Sequence, residues 1–266
     1  NQARPPPFRP VSERTMIVDS ARRAAGGASS GLRRLAVATW NVAAVNNNPF
    51  EYWLTIPDDA SYDALMTDVE KFLESPGDGD VPVRSVFTDD MYDGLERRMR
   101  DTAGWGGLGT VRRMWEEDYG SRRVVSGFVR DASLGRKRLA SMPDRMTNTI
   151  NLAGVKAGEK ACRPTVINMY DGDLSSTEIW WESWLSFMFN DPLPIRTGEG
   201  SGVEERVPWQ LLRPIKRSKY PDVTEEEESV SLPLQTLCGA IFDAILVHMM
   251  NHVSTPDVWQ PLKRRI

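Results

Sequence analysis

Residues 35–53, LAVATWNVAAVNNNPFEYW, constrain the fold of this 266-residue chain more than any other stretch. An apolar run over 35–39 meets Trp40 and Asn41, a second apolar run follows, and Asn46, Asn47 and Asn48 close it before Pro49. A short, continuous apolar run bounded by turn residues predicts a strand buried on both faces. The carboxamide of Asn41 then stands at the end of that strand, where it must find hydrogen-bond partners. The three asparagines and the proline predict a turn.

The rest of the composition is that of a globular chain. Hydrophobic residues make up 40% and charged residues 26%, which sets the chain apart from disordered sequences. The formal net charge of −4 disfavours non-specific binding to nucleic acid through bulk charge, while leaving room for a local basic patch. Two cysteines, Cys162 and Cys238, do not make a disulfide framework and fit a reducing compartment. Nine tryptophans, five of them between Trp105 and Trp184, are expected as core or interface anchors. The most apolar run, from Leu237, is interrupted by Asp243 and His248, which predicts a buried helix over a membrane span.

Periodicity places further elements along the chain. A helix is expected over 61–73, capped by Ser61, with Ala64, Leu65, Val69, Phe72 and Leu73 on one face. Thr88 should cap a second helix with Met91, Leu95 and Met99 inward, and a third follows a glycine-rich break at 104–109. The β-branched stretches 123–129 and 164–170 predict strands. An aromatic helix over 177–189 is capped by Ser175 or Ser176, Thr224 and Glu225 to Glu228 form a helix start, and a long helix spans 232–253. Ile241, Ile245 and Met249 share its inner stripe with Leu234, Leu237 and Cys238, and Asp243 and His252 lie off it. Segments near 76–86 and 190–208 read as loops.

The strand that ends at Asn41 resembles the first strand of the endonuclease/exonuclease/phosphatase superfamily, deoxyribonuclease-like proteins, and the resemblance covers about 20 residues of the N-terminal part. It implies a mixed α/β fold resembling the front part of that family's sandwich, here an incomplete sheet with a large helical insertion. It also implies that Asn41 is a catalytic-site residue organising a divalent-metal phosphodiesterase centre. The family's other motifs are a Gln-Glu pair, an Asp-x-Asn and a terminal Ser-Asp-His, and none of them stands in this sequence. The expectation is therefore a non-catalytic structural or accessory subunit of a multi-protein assembly, with no cofactor held by this chain. The alternative is the N-terminal part of a magnesium-dependent phosphodiesterase or nuclease whose remaining motifs lie beyond this chain.

Weaker motifs have simpler readings. His248 and His252 share a helix face at the spacing of a two-histidine metal site, but Met249 replaces the glutamate of the zincin pattern. They are expected as core-edge or capping residues. Asp78 with Asp80, and Asp171 with Asp173, lack the register and closing glutamate of a calcium loop and read as turns. The basic stretch 130–145 could meet phosphates or stay solvated. The sequence GWGGLG at 104–109 lacks nucleotide-loop spacing.

Residues 1–34 carry seven arginines against Glu13 and Asp19, with prolines at 5, 6, 7 and 10. They read as an extended arm docked on a protein neighbour, or as the remnant of a mitochondrial or plastid presequence. Residues 35–266 read as a single α/β domain. Protein neighbours are the expected partners, with nucleic acid a lesser expectation and no transmembrane segment.

Overall fold

The structure is a computed structural model, and it describes residues 59–139, 163–166, 170–196 and 202–263. The described residues lie within the compact unit Val45–Ile266. The strand expected near 36–44, with Asn41, and the arm 1–34 lie outside the described residues.

Helix α1 (Ala60–Glu74) has its cap two residues earlier than expected, because the Asp59 carboxylate, not Ser61, accepts the free Tyr62 N–H. Tyr62, Leu65, Val69, Phe72 and Leu73 form its buried face, and Ala64 is exposed. Helix α2 (Asp89–Asp101) is capped by Thr88 as its sequence predicts, with Met91, Tyr92, Leu95 and Met99 buried. After the glycine-rich break comes α3 (Leu108–Glu117), whose first turn follows Gly107 at φ +73°. A Cβ there would also stand 2.5 Å from Val230 Cγ1, so glycine is required twice over.

The strand expected at 123–129 is corrected by the structure. Pro82 and Arg123 make a single antiparallel bridge, after which the chain winds into a π-helix, Val124–Val129. The cause is Asp80, whose carboxylate accepts the N–H groups of Val125 and Ser126 and the Ser126 hydroxyl. That side chain offers the backbone a helical start where no neighbouring strand offers a ladder. Val124, Val125 and Phe128 still reach the core, which is why the composition reads as β. Helix α4 (Ala132–Lys137) follows. Of the strand expected at 164–170, residues 163–166 form bends and a turn, and 167–169 lie outside the described residues.

Helix α5 (Thr177–Phe189) is capped by Ser176 and buries Trp180, Trp181, Trp184, Phe187, Met188 and Phe189. The segment read as a loop at 190–208 contains an antiparallel hairpin, β1 (Leu193–Arg196) and β2 (Val203–Arg206), with Leu193 opposite Arg206 and Arg196 opposite Val203. It is the one sheet among the described residues. The fold is thus mixed, as expected, but the described part is mainly helical.

A short helix, α6 (Glu225–Ser229), opens with a capping box between Thr224 and Glu227. Helix α7 (Ser231–Val253) is the hub. It packs against α1, α2, α3, α5, α6, the π-helix and a last helix, α8 (Pro256–Lys263). Seventeen of its 23 residues are buried, so it is wrapped on nearly every side and has no single inner stripe. Its most apolar 18-residue window has a mean hydropathy of 1.5, enough by length and composition to cross a bilayer, yet 83% of that window is buried by the rest of the chain. Pro233 sits in its first turn, where a missing N–H costs no helical hydrogen bond.

Candidate functional site

The strongest polar centre is inside the core. Asp243, in the middle of α7, accepts Arg163 Nη2 at 3.0 Å and stands 2.9 Å from Arg163 Nε through its second oxygen. That second oxygen also accepts Trp184 Nε1 of α5 at 2.9 Å. Both charged side chains are sealed, at 2% and 1% exposure. Trp180 Nε1 donates to the Pro164 carbonyl at 2.7 Å, so α5 holds the segment 163–166 directly through Trp180 and by way of Asp243 through Trp184. This corrects the expectation that Asp243 lies off the buried face. Two opposite charges at this depth neutralise each other, and the geometry ties α5, α7 and residues 163–166 together. The sequence signal was a lone Asp within an apolar helical run, with the arginine 80 residues away.

Asp80 and Glu227 have similar employment, whereas among the described residues the Tyr92 and Thr165 hydroxyls and Gln235 Oε1 are buried without a hydrogen-bond partner. Asp80 caps the π-helix, as described, and is the turn residue its sequence implied. Glu227, 7% exposed, closes the capping box and accepts Lys137 Nζ of α4 at 2.7 Å. Around it, Arg113 pairs with Glu226 and Arg136 with Asp222, so cations of α3 and α4 clasp the acidic start of α6. The lower half of the basic stretch 130–145 is therefore partly spent inside the chain, and residues 140–145 lie outside the described region. Asp173 accepts the Ser175 N–H and hydroxyl at the start of α5, and Gln260 Nε2 of α8 at 3.4 Å, which is turn chemistry.

His248 and His252 do come together, with ring centroids 6.0 Å apart. His248 Nε2 lies 3.3 Å from the Gly79 carbonyl, and His252 tilts against Phe72 at 4.9 Å. Burial holds the His248 imidazolium below its usual range, opposed by the Gly79 carbonyl and helped by His252. Among the described residues no group of three metal-ligating side chains forms. The histidines sit at the core edge against α1 and the 77–79 turn, as the sequence suggests.

Cys238 faces Tyr119 in the core, and burial pushes its thiol up to about 12 despite the opposing hydrogen bond from Tyr119. Seven of the tryptophans expected as core or interface anchors are among the described residues. Trp115, Trp180, Trp181, Trp184 and Trp259 are buried. Trp105 and Trp209 are half-buried and meet edge to face at 6.0 Å. Trp40 and Trp53 lie outside the described residues, as does Asn41, the one catalytic candidate from sequence.

Comparison with known proteins adds a family and no activity. No curated protein and no solved structure matches the chain. One family model matches residues 80–264, from the Asp80 cap through α8, and covers most of the chain. On that match the chain belongs to the family described as domain of unknown function DUF8234.

Proposed function

We propose that this chain is a non-catalytic structural or accessory subunit of a multi-protein assembly, derived from an endonuclease/exonuclease/phosphatase-like protein. The observation that carries the reading is how three carboxylates of the family region are used. Asp243 is held by Arg163 and Trp184, Asp80 by the π-helix backbone, and Glu227 by Lys137 and the Thr224 cap. Each is engaged with structural partners, whereas a hydrolytic centre needs carboxylates presented to a metal or a water. The helical domain then follows a first strand as an insertion, and residues 1–34 serve as a docking arm or an organellar presequence. Purification of the endogenous protein under native conditions, followed by cross-linking mass spectrometry, tests this. Fixed-ratio neighbours cross-linked to the chain support it, and a species containing this chain alone argues against it.

The second reading is the N-terminal part of a magnesium-dependent phosphodiesterase. The strand that ends at Asn41 favours it, because its pattern is the family's first strand. In that case Asn41 would orient a phosphate or a metal-bound water, and carboxylates beyond this chain would hold the metal.

A further inference from the structure

Residues 213–219, RPIKRSK, carry four cations and no acid in a chain whose net charge is −4. This loop is built, and its anchors alternate with its charges. Leu212 and Ile215 are buried at 6% and 1% exposure, while Arg213, Lys216, Arg217 and Lys219 are exposed. The Arg213 carbonyl accepts Gln235 Nε2 of α7 at 3.0 Å, and the Ile215 N–H donates to the Ser231 hydroxyl at 3.3 Å. The turn closes where the Lys216 carbonyl accepts the N–H groups of Lys219 and Tyr220, at 3.0 and 2.9 Å. The backbone is thereby fixed to the hub helix, and the four cationic side chains are exposed.

Cations that meet residues 222–227 are neutralised. Arg113, Arg136 and Lys137 pair with Glu226, Asp222 and Glu227. Arg217 has a loose pair with Glu225 at 3.8 Å, with Glu225 92% exposed. Among the described residues, no carboxylate lies within ion-pair distance of Arg213, Lys216 or Lys219. Of the acids within sequence reach at 222–228, Asp222, Glu226 and Glu227 pair with Arg136, Arg113 and Lys137, while Glu225 faces Arg217 and Glu228 accepts the Arg217 N–H at 3.4 Å, which leaves Arg213, Lys216 and Lys219 without an ion-pair partner among the described residues. A pinned loop that holds three cations without counter-charges is a docking surface for an anion of repeating charge.

An aromatic edge adjoins it. Trp209 stands four residues before Arg213, and its half-buried indole meets that of Trp105 in the glycine-rich break. That break lies against Val230 through Gly107, next to Ser231, which holds Ile215. Cations along a backbone with indoles beside them are the combination that binds single-stranded nucleic acid, through phosphates on the cations and bases on the rings.

We propose that the 213–219 loop, with Trp105 and Trp209 at its margin, is a binding surface for the phosphate backbone of single-stranded nucleic acid. It is independent of any hydrolytic activity and of the subunit reading above, since it concerns binding alone. The test is fluorescence anisotropy of the full chain with a labelled 20-nucleotide single-stranded DNA across a salt series. The variant is Arg213→Gln/Lys216→Gln/Lys219→Gln, whose side chains are exposed and whose fold is checked by circular dichroism. The control is Arg97→Gln/Arg100→Gln/Arg130→Gln, which removes equal charge elsewhere. The wild type should bind with an affinity that falls as salt rises. The loop variant should bind at least about tenfold more weakly, with a salt slope lower by about 2, as loss of three phosphate contacts on a single strand requires. The control should keep its affinity within about twofold. Equal loss in both variants, unchanged binding by the loop variant, or no binding by the wild type would overturn the proposal. So would polyglutamate competing as well as unlabelled DNA, because the surface would then be one for acidic proteins.

Discussion

Arg163 and Asp243 form a doubly contacted ion pair at the centre of the helical domain, 2.9 and 3.0 Å apart and both almost wholly sealed from solvent. Buried pairs of this kind add little net stability over an apolar substitute, yet losing one partner strands a charge in the core. Asp243→Leu alone should therefore cost about 3–5 kcal/mol, a large share of the roughly 5–15 kcal/mol that holds a domain together. Adding Arg163→Met should recover much of that loss. Chemical denaturation of the three proteins checks it, and a double variant as unstable as the single one would show that the pair does more than neutralise itself.

His248 carries a pH dependence whose sign follows from burial. Its imidazole resists protonation when folded, so the unfolded chain binds more protons below the ordinary histidine pKa of 6.5. Stability contributed by the neutral ring is complete above about pH 6.5 and is lost as the pH falls through the lower folded value. Denaturation midpoints should fall between pH 7.5 and 5.5 more steeply for the wild type than for His248→Gln. Parallel profiles would exclude His248 as the source.

Cys238 should be chemically silent. Its thiol is buried and pushed up to about 12, so little thiolate exists at neutral pH and no reagent can reach it. In a Cys162→Ser background, thiol titration should find no reactive group until denaturant is added. Rapid native labelling would mean that the core opens near Tyr119.

Gly107 is the turn on which α3 depends. Alanine there meets both the left-handed backbone at φ +73° and the Val230 side chain, and should cost about 1–3 kcal/mol. Val230→Ala in the same protein should relieve the steric part and leave the backbone part, which thermal unfolding of the pair can separate.

Much of the helical skeleton was legible in the sequence because its signals are local. Thr88, Ser176 and Thr224 cap where their hydroxyls can reach a free N–H three residues on, and periodicity found the inner faces of α1 and α2. The π-helix was not legible, because its cause, Asp80, lies 45 residues from the N–H it captures. The hairpin was hidden by the charges and glycines of 196–206, which mask any apolar alternation. The partner of Asp243 was invisible for the same reason as the π-helix: pairing across 80 residues leaves no periodic trace. Of the candidate site, the sequence named Asn41, the histidines and the paired aspartates. The described structure gives the histidines, Asp80 and Asp173 structural contacts and does not reach Asn41.

The claim that this chain is non-catalytic is tested most directly by phosphodiester hydrolysis. The purified full chain and its Asn41→Ala variant should be assayed with magnesium on bis(p-nitrophenyl) phosphate and on single- and double-stranded nucleic acid. The account predicts rates for both proteins that match buffer alone. Magnesium-dependent turnover by the wild type that falls at least about a hundredfold in Asn41→Ala would contradict it and make the chain an enzyme.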